Sequence, residues 1–143
     1  MDNLDEELIS NVDSGVIKYT ALAKKTNSPL STVHFRMKKL EKDKIIRHYK
    51  GEIDWKKAGF PITAFVLVSV DISLLKSLKR TQAQVLKELL EIMYVREGYI
   101  TTGDADIVVK VIARSPSHLG EILLDYIDAK EGIVKTNTMI ILD

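Results

Sequence analysis

Cysteine is absent from the 143 residues, which excludes disulfide bonds, thiolate metal sites and cysteine nucleophiles. Histidine is scarce: His34, His48 and His118 stand in three separate segments, without the spacing of a zinc site or a catalytic triad. No apolar run is long enough for a membrane helix, and no signal peptide is read at the N-terminus. The expectations are therefore a cytoplasmic protein with no membrane partner, no catalytic residues, no metal and no cofactor. A composition 45% hydrophobic and 29% charged is that of a soluble globular protein, long enough for one domain or two small ones.

Net charge is also nearly absent, at +1, but this balance hides segregation. Residues 18–50 carry ten Lys or Arg against Glu41 and Asp43, a net of +8, while residues 1–17 carry −5 and residues 51–143 carry −2. Within the basic segment, Leu30, Val33, Met37 and Leu40 place one apolar stripe along a helix over about 29–42. The opposite face collects Phe35, Lys38, Lys39 and Lys42, with Thr32 at one margin, His34 at the other and Arg36 nearer the core edge. A shorter helix over 19–26 precedes it, with Asn27 as its stop, Ser28 as the next cap and Pro29 opening the next helix. Small Ala23 permits a close crossing. Two such helices can be an ordinary hairpin with a solvated face. The charge segregation and an exposed aromatic among cations point instead to a helix-turn-helix that enters the major groove of double-stranded DNA.

Leu4, Leu8, Ile9 and Val12 predict a first helix over about 5–12, ended by Gly15. The expected core of this three-helix unit is Leu4, Leu8, Val12, Ile17, Leu22, Val33, Met37 and Leu40. Residues 45–54 read as a short strand or extended connector, and 55–60 as a helical turn ended by Gly59 and stopped by Pro61. Three regions follow: a DNA-binding unit over 1–45, a linker over 46–61, and a third region over 62–143. In the last, strands are predicted over 62–71, 95–102, 107–114 and 134–142, and helices over 73–92 and from Ser115 to Gly132. The second helix is capped by Ser115 and buries Leu119, Ile122, Leu123, Tyr126 and Ile127. His118 is read as an exposed surface residue. The fold class is α+β: a winged-type helix-turn-helix unit, then a ferredoxin-like β-α-β-β-α-β domain. One sheet face stays uncovered, and Phe65, Leu67, Ile107, Val109 and Val111, or their alternates, make it too apolar for water. A second copy is expected there.

The pieces LDEELISNV (4–12), ALAKKTNSPLSTVHFRMKKLEKDKII (21–46), ITAFVLVSV (62–70), TTGDADIVVKV (101–111) and GIVKTNTMIIL (132–142) together resemble the Lrp/AsnC, or feast/famine, transcription regulators of bacteria and archaea. The resemblance spans the whole chain, and an archaeal source is the expectation. It implies an ACT-like C-terminal domain that senses a small amino acid and oligomerises, as a homodimer assembling further. Three departures stand out. Lys44 replaces the common Gly after the recognition helix, so the helix overruns or ends by a non-glycine turn, with little weight for function. Ala105 replaces a frequent aromatic, which bears on a ligand pocket, and Lys130-Glu131 replaces a common Pro.

Taken alone, Gly103, Asp104 and Asp106 are what a tight turn uses, although two carboxylates so placed can also hold a cation or serve acid-base chemistry. The resemblance implies an effector site at Thr101, Thr102, Gly103, Asp104, Ala105 and Asp106. There the Asp106 carboxylate meets an amino acid's ammonium, and backbone N–H groups meet its carboxylate. Thr136 and Thr138 alternate onto one strand face, through β-propensity or as further ligand contacts. Two other readings stay open: a ligand-insensitive architectural DNA binder, and a metabolite-sensing subunit that acts on a protein partner.

Overall fold

Asp2 opens the chain's first helix, its carboxylate accepting the Asp5 N–H at 3.0 Å. In the computed structural model, which describes residues 1–142, the chain divides into one unit ending at Ile53 and another beginning at Asp54. The first unit holds α1 (Asn3–Asp13), α2 (Tyr19–Thr26) and α3 (Leu30–Lys42). Asn27, left-handed at φ 50°, ends α2. Ser28 does not cap α3: its hydroxyl donates to the Thr26 carbonyl at 3.2 Å, and Pro29 takes the cap position without a side-chain bond.

Leu8, Leu22, Val33, Met37, Leu40 and Ile46 form the buried core, with Leu4 and Val12 partly buried. One expected core member, Ile17, and one member of the α3 stripe, Leu30, are outside it. Ile17 is 53% exposed, because its neighbour Val16 takes the inward position, and Leu30 is 48% exposed. At 100° per residue Leu30 lies about 60° round from Val33, on the flank of the stripe. Residues 47–53 form no strand and run as an unpaired connector. The turn over 55–59 closes at Gly59, φ 97°, with the Phe60 N–H on the Trp55 carbonyl at 2.8 Å.

The second unit is a four-stranded antiparallel sheet in the order β2-β3-β1-β4, with β1 (Ile62–Val70), β2 (Val95–Ile100), β3 (Ile107–Ala113) and β4 (Ile133–Ile140). Ala64, Val66, Val68, Ile107, Val109 and Val111 are buried in one core with Leu75, Val85, Leu89, Leu119, Ile122 and Ile127 from the helices. The register pairs Val66 with Val109 and Leu67 with Val108. Ile107, Val109 and Val111 therefore belong to the helix side, not to the open face. The open face instead groups Phe65 and Leu67 with Val108, Tyr99 and Met139.

The helix expected over 73–92 is two, α4 (Ile72–Ser77) and α5 (Gln82–Leu90). Lys79 turns left-handed at φ 55°, and Thr81 with Gln84 forms a reciprocal capping box that starts α5 anew. The last helix, α6 (Pro116–Glu121), opens as predicted on Ser115 and runs into a π-helical turn over Ile122–Ile127. Its wider i→i+5 register leaves Tyr126 47% exposed, where an unbroken α-helical stripe would have turned it inward. His118 is half-buried rather than exposed: its Nδ1 accepts the Arg114 N–H at 2.9 Å and its ring meets Tyr94 edge-on at 4.5 Å. Among the described residues no helix is long and apolar enough to cross a membrane.

Gly132, at φ 95°, lies where a Cβ would collide with buried Leu75, 3.2 Å from its Cγ and closer still to one methyl. Gly132→Ala is expected to cost roughly 1–3 kcal/mol in urea unfolding, through overpacking and left-handed strain together. Gly120→Ala, helical and with open space around the new methyl, is expected to gain about 0.5–1 kcal/mol.

Candidate nucleic-acid interface and effector turn

Burial of Val33, Met37 and Leu40 fixes how α3 is rotated and so decides which side chains face solvent. Phe35 is 69% exposed, and His34, Lys38, Lys39 and Lys42 are exposed around it, with Thr32 half-buried. Arg36 is engaged elsewhere. Its guanidinium donates to Asp2 at 2.6 Å and to Asp5 at 3.2 Å, tying α3 to the start of α1. The Asp2 pKa is lowered, chiefly by the Asp5 N–H bond and then by Arg36.

The other flank of α3 carries a network with no local sequence signal. Glu41 Oε1 accepts the hydroxyls of Tyr19, at 2.6 Å, and Tyr49, at 2.8 Å. The first contact pins α2 to α3; the second pins the segment that leaves α3. Both bonds favour the carboxylate, Tyr19 most, and hold the Glu41 pKa below its ordinary value. Burial, then the bond to Glu41, pushes the Tyr49 hydroxyl up to about 12 and Tyr19 higher still. Lys38 reaches toward Glu41 at 4.0 Å and lies 5.8 Å from the Tyr19 ring centre, while His34 meets that ring edge-on at 5.4 Å.

In the second unit, residues 101–106 join β2 to β3. Thr101 donates its hydroxyl to the Ala105 carbonyl and its N–H to the Asp106 carbonyl, both at 2.9 Å. Thr102, Gly103 and Asp104 are exposed at the tip, Gly103 with φ 102°. Ala105 is buried, so its methyl packs inward rather than lining an open surface. Asp106 is half-buried and doubly tied to β1, its N–H donating to the Val68 carbonyl at 2.9 Å and its Oδ2 accepting the Val70 N–H at 2.8 Å. Oδ1 has no hydrogen bond among the described residues. Thr136 and Thr138 pair with Val68 and Val66 across the other side of β1, on the helix-side face. The Thr136 hydroxyl donates to Asp128 at 3.1 Å. The turn and these two threonines thus flank β1 from opposite sides.

A DNA-sized basic helix and a glycine-aspartate turn on a ferredoxin-like sheet agree with what the comparisons with known proteins show. Residues 2–47 match the winged helix-turn-helix DNA-binding family, and residues 63–143 match the Lrp/AsnC ligand binding domain. The chain belongs to the Lrp/AsnC family. It is a DNA-binding transcriptional regulator with a ligand-binding domain, in a family of regulators rather than enzymes. A helix-turn-helix transcriptional regulator of Pyrococcus abyssi is 31% identical across 100% of this chain and 93% of its own length. Escherichia coli AsnC superposes with a TM-score of 0.78 at 26% identity, covering 100% of this chain and 93% of that one. A feast or famine regulatory protein from Mycobacterium tuberculosis, complexed with L-methionine, gives a TM-score of 0.80 at 24% identity over 99% and 92%.

Within this Lrp/AsnC chain, the Glu41 network makes a pH-dependent contribution whose sign is fixed. The folded-state pKa of Glu41 is depressed, so its contribution is complete above the ordinary glutamate value and is lost as pH falls through the folded one. Glu41→Gln is expected to lower the melting temperature of the first unit near pH 7 and to flatten its decline on acidification. Calorimetry from pH 7 to pH 3 reads both, and an unchanged acid limb contradicts the assignment.

Proposed function

We propose that this regulator reads DNA sequence through the outward face of α3 and that a small amino acid, bound at the 101–106 turn, alters its assembly or its affinity for DNA. The observation that carries the first part is Phe35, 69% exposed among Lys38, Lys39 and Lys42. A bare aromatic on a solvated face costs solubility, and contact with a thymine methyl gives it a use. The lysines supply phosphate or guanine contacts, and Thr32 lies at the margin of the same face. Arg36 and His34 act beside them, Arg36 by holding α3 on α1 and His34 by its contact with Tyr19.

The second part rests on Asp106 and on the family. One carboxylate oxygen of Asp106 anchors β1, and the other is left for a ligand's ammonium. Thr102, Gly103 and Asp104 stand beside it at an exposed turn that lacks walls of its own. A second copy packed on the open sheet face, where Phe65, Leu67, Val108, Tyr99 and Met139 gather, covers the apolar surface and brings a second chain toward the site. The L-methionine complex of the mycobacterial relative favours an amino acid as ligand. A ligand shared between chains shifts the assembly by its differential affinity for the two states.

Phe35→Ala is expected to relax sequence preference in an in vitro selection of bound fragments. Lys42→Ala is expected to weaken all duplexes alike and to reduce the salt slope by about 0.9. Unchanged preference in Phe35→Ala places the reading face elsewhere.

A thermal-shift screen of the twenty amino acids tests the effector. A hit at ~100 times its dissociation constant is expected to stabilise the protein by about 2.7 kcal/mol per site. The hit should vanish in Asp106→Asn, which retains an acceptor for the Val70 N–H and so spares the turn. Light scattering on the same samples should show at least a dimer of the 16.1 kDa chain. A monomer removes the proposed assembly and two-headed DNA recognition, and the absence of any hit at millimolar ligand leaves the ligand-insensitive architectural reading.

A further inference from the structure

Four helices and the turn over 55–59 end by one backbone device: a residue in the left-handed region donates its N–H back three residues, and the next residue donates back five. The left-handed positions are Gly15, Asn27, Lys44, Gly59 and Lys79. Glycine and asparagine tolerate that conformation, but a lysine Cβ crowds the adjacent carbonyl. At the end of α3 the Lys44 N–H reaches the Glu41 carbonyl at 3.1 Å and the Ile45 N–H reaches that of Leu40 at 3.0 Å, with Lys44 at φ 57°. Lys79 does the same after α4, at φ 55°.

Strain alone assigns no role, since Lys79 shares it; the surroundings of Lys44 do. Lys44 is exposed and makes no ion pair or side-chain hydrogen bond among the described residues. It follows Lys39 and Lys42, just past the end of α3. Of the two acidic groups nearby, Glu41 has its Oε1 occupied by two tyrosine hydroxyls, while exposed Asp43 is adjacent. The connector that leaves this helix end is pinned through Tyr49 to the same Glu41, which holds the turn in place. In the homeodomain variant of the helix-turn-helix, the C-terminal end of the recognition helix contacts the sugar-phosphate backbone, and Lys44 stands at the corresponding end of α3.

We infer that Lys44 is a further DNA contact, a phosphate-binding residue placed beyond the reading face by the strained turn that ends α3. The inference rests on α3 being the helix that enters the groove. Lysine takes a glycine position there because its charge serves binding at the expense of backbone comfort.

Lys79 supplies the internal control, since it has the same backbone conformation, the same place at a helix C-terminus and the same charge. In the full chain, Lys44→Gly and Lys79→Gly are both expected to melt at or above the wild-type temperature. On a mixed-sequence duplex only Lys44→Gly should bind more weakly, roughly fivefold to tenfold at 0.1 M salt, with the salt slope reduced by about 0.9. Lys44→Asn, uncharged yet at ease in the left-handed region, should match Lys44→Gly; Lys44→Arg should bind as wild type. Wild-type affinity and slope in Lys44→Asn, or equal losses in the Lys44 and Lys79 variants, overturns the inference and leaves Lys44 as a helix stop. If instead wild type binds but Phe35→Ala and Lys42→Ala do not alter it, the reading face falls, and with it the premise for Lys44.

Discussion

The rotation of α3 about its own axis is the constraint on which the proposed reading of DNA depends. Three buried side chains, Val33, Met37 and Leu40, set it, and each contributes on the order of 1.5–3 kcal/mol by leaving water. Two polar clamps then hold the flanks: Arg36 on Asp2 and Asp5 on one side, Glu41 on Tyr19 and Tyr49 on the other. The Arg36 ion pairs are screened by solvent, and the two tyrosine hydroxyls share a single Glu41 oxygen, so burial chooses the rotation and the clamps sharpen it. With both flanks engaged, the side chains left for a partner are those opposite the core, an aromatic and its lysines.

In the second unit, Asp106 plays the comparable part. Its backbone and one carboxylate oxygen join the 101–106 turn to β1, so the turn is a fixed extension of the sheet rather than a loose loop. That rigidity gives its second oxygen a defined direction, which a recognition site requires. The sheet's uncovered face is apolar at its centre and carries Lys110 and Lys135 among its outward positions, a mixture suited to a partner surface rather than to a buried core.

Much of this was legible in the sequence because it follows from periodicity. The stripe through Val33, Met37 and Leu40, the β-branched strand over 62–70 and the Ser115-Pro116 helix start each announce themselves within a few residues. Three features did not. The break between α4 and α5 was concealed by an apolar pattern that continues across it, although Thr81 and Gln84 held the capping signal. The facing of the sheet was set by cross-strand register, and a single-residue offset moved Ile107, Val109 and Val111 to the helix side. The Glu41 network joins residues 22 and 8 apart in sequence, a separation at which neither helical nor strand spacing gives any cue. Lys44 was visible as a departure from glycine, but its meaning needed the backbone angle.

The most direct test of the central claim is photo-cross-linking of the full chain to an iodouracil-substituted duplex it binds, followed by mapping of the attached peptides. The account predicts cross-links in the segment that contains Phe35, on the outward face of α3. Cross-links confined to α1 or to the unit that begins at Asp54, with the α3 peptide unmodified, would contradict it.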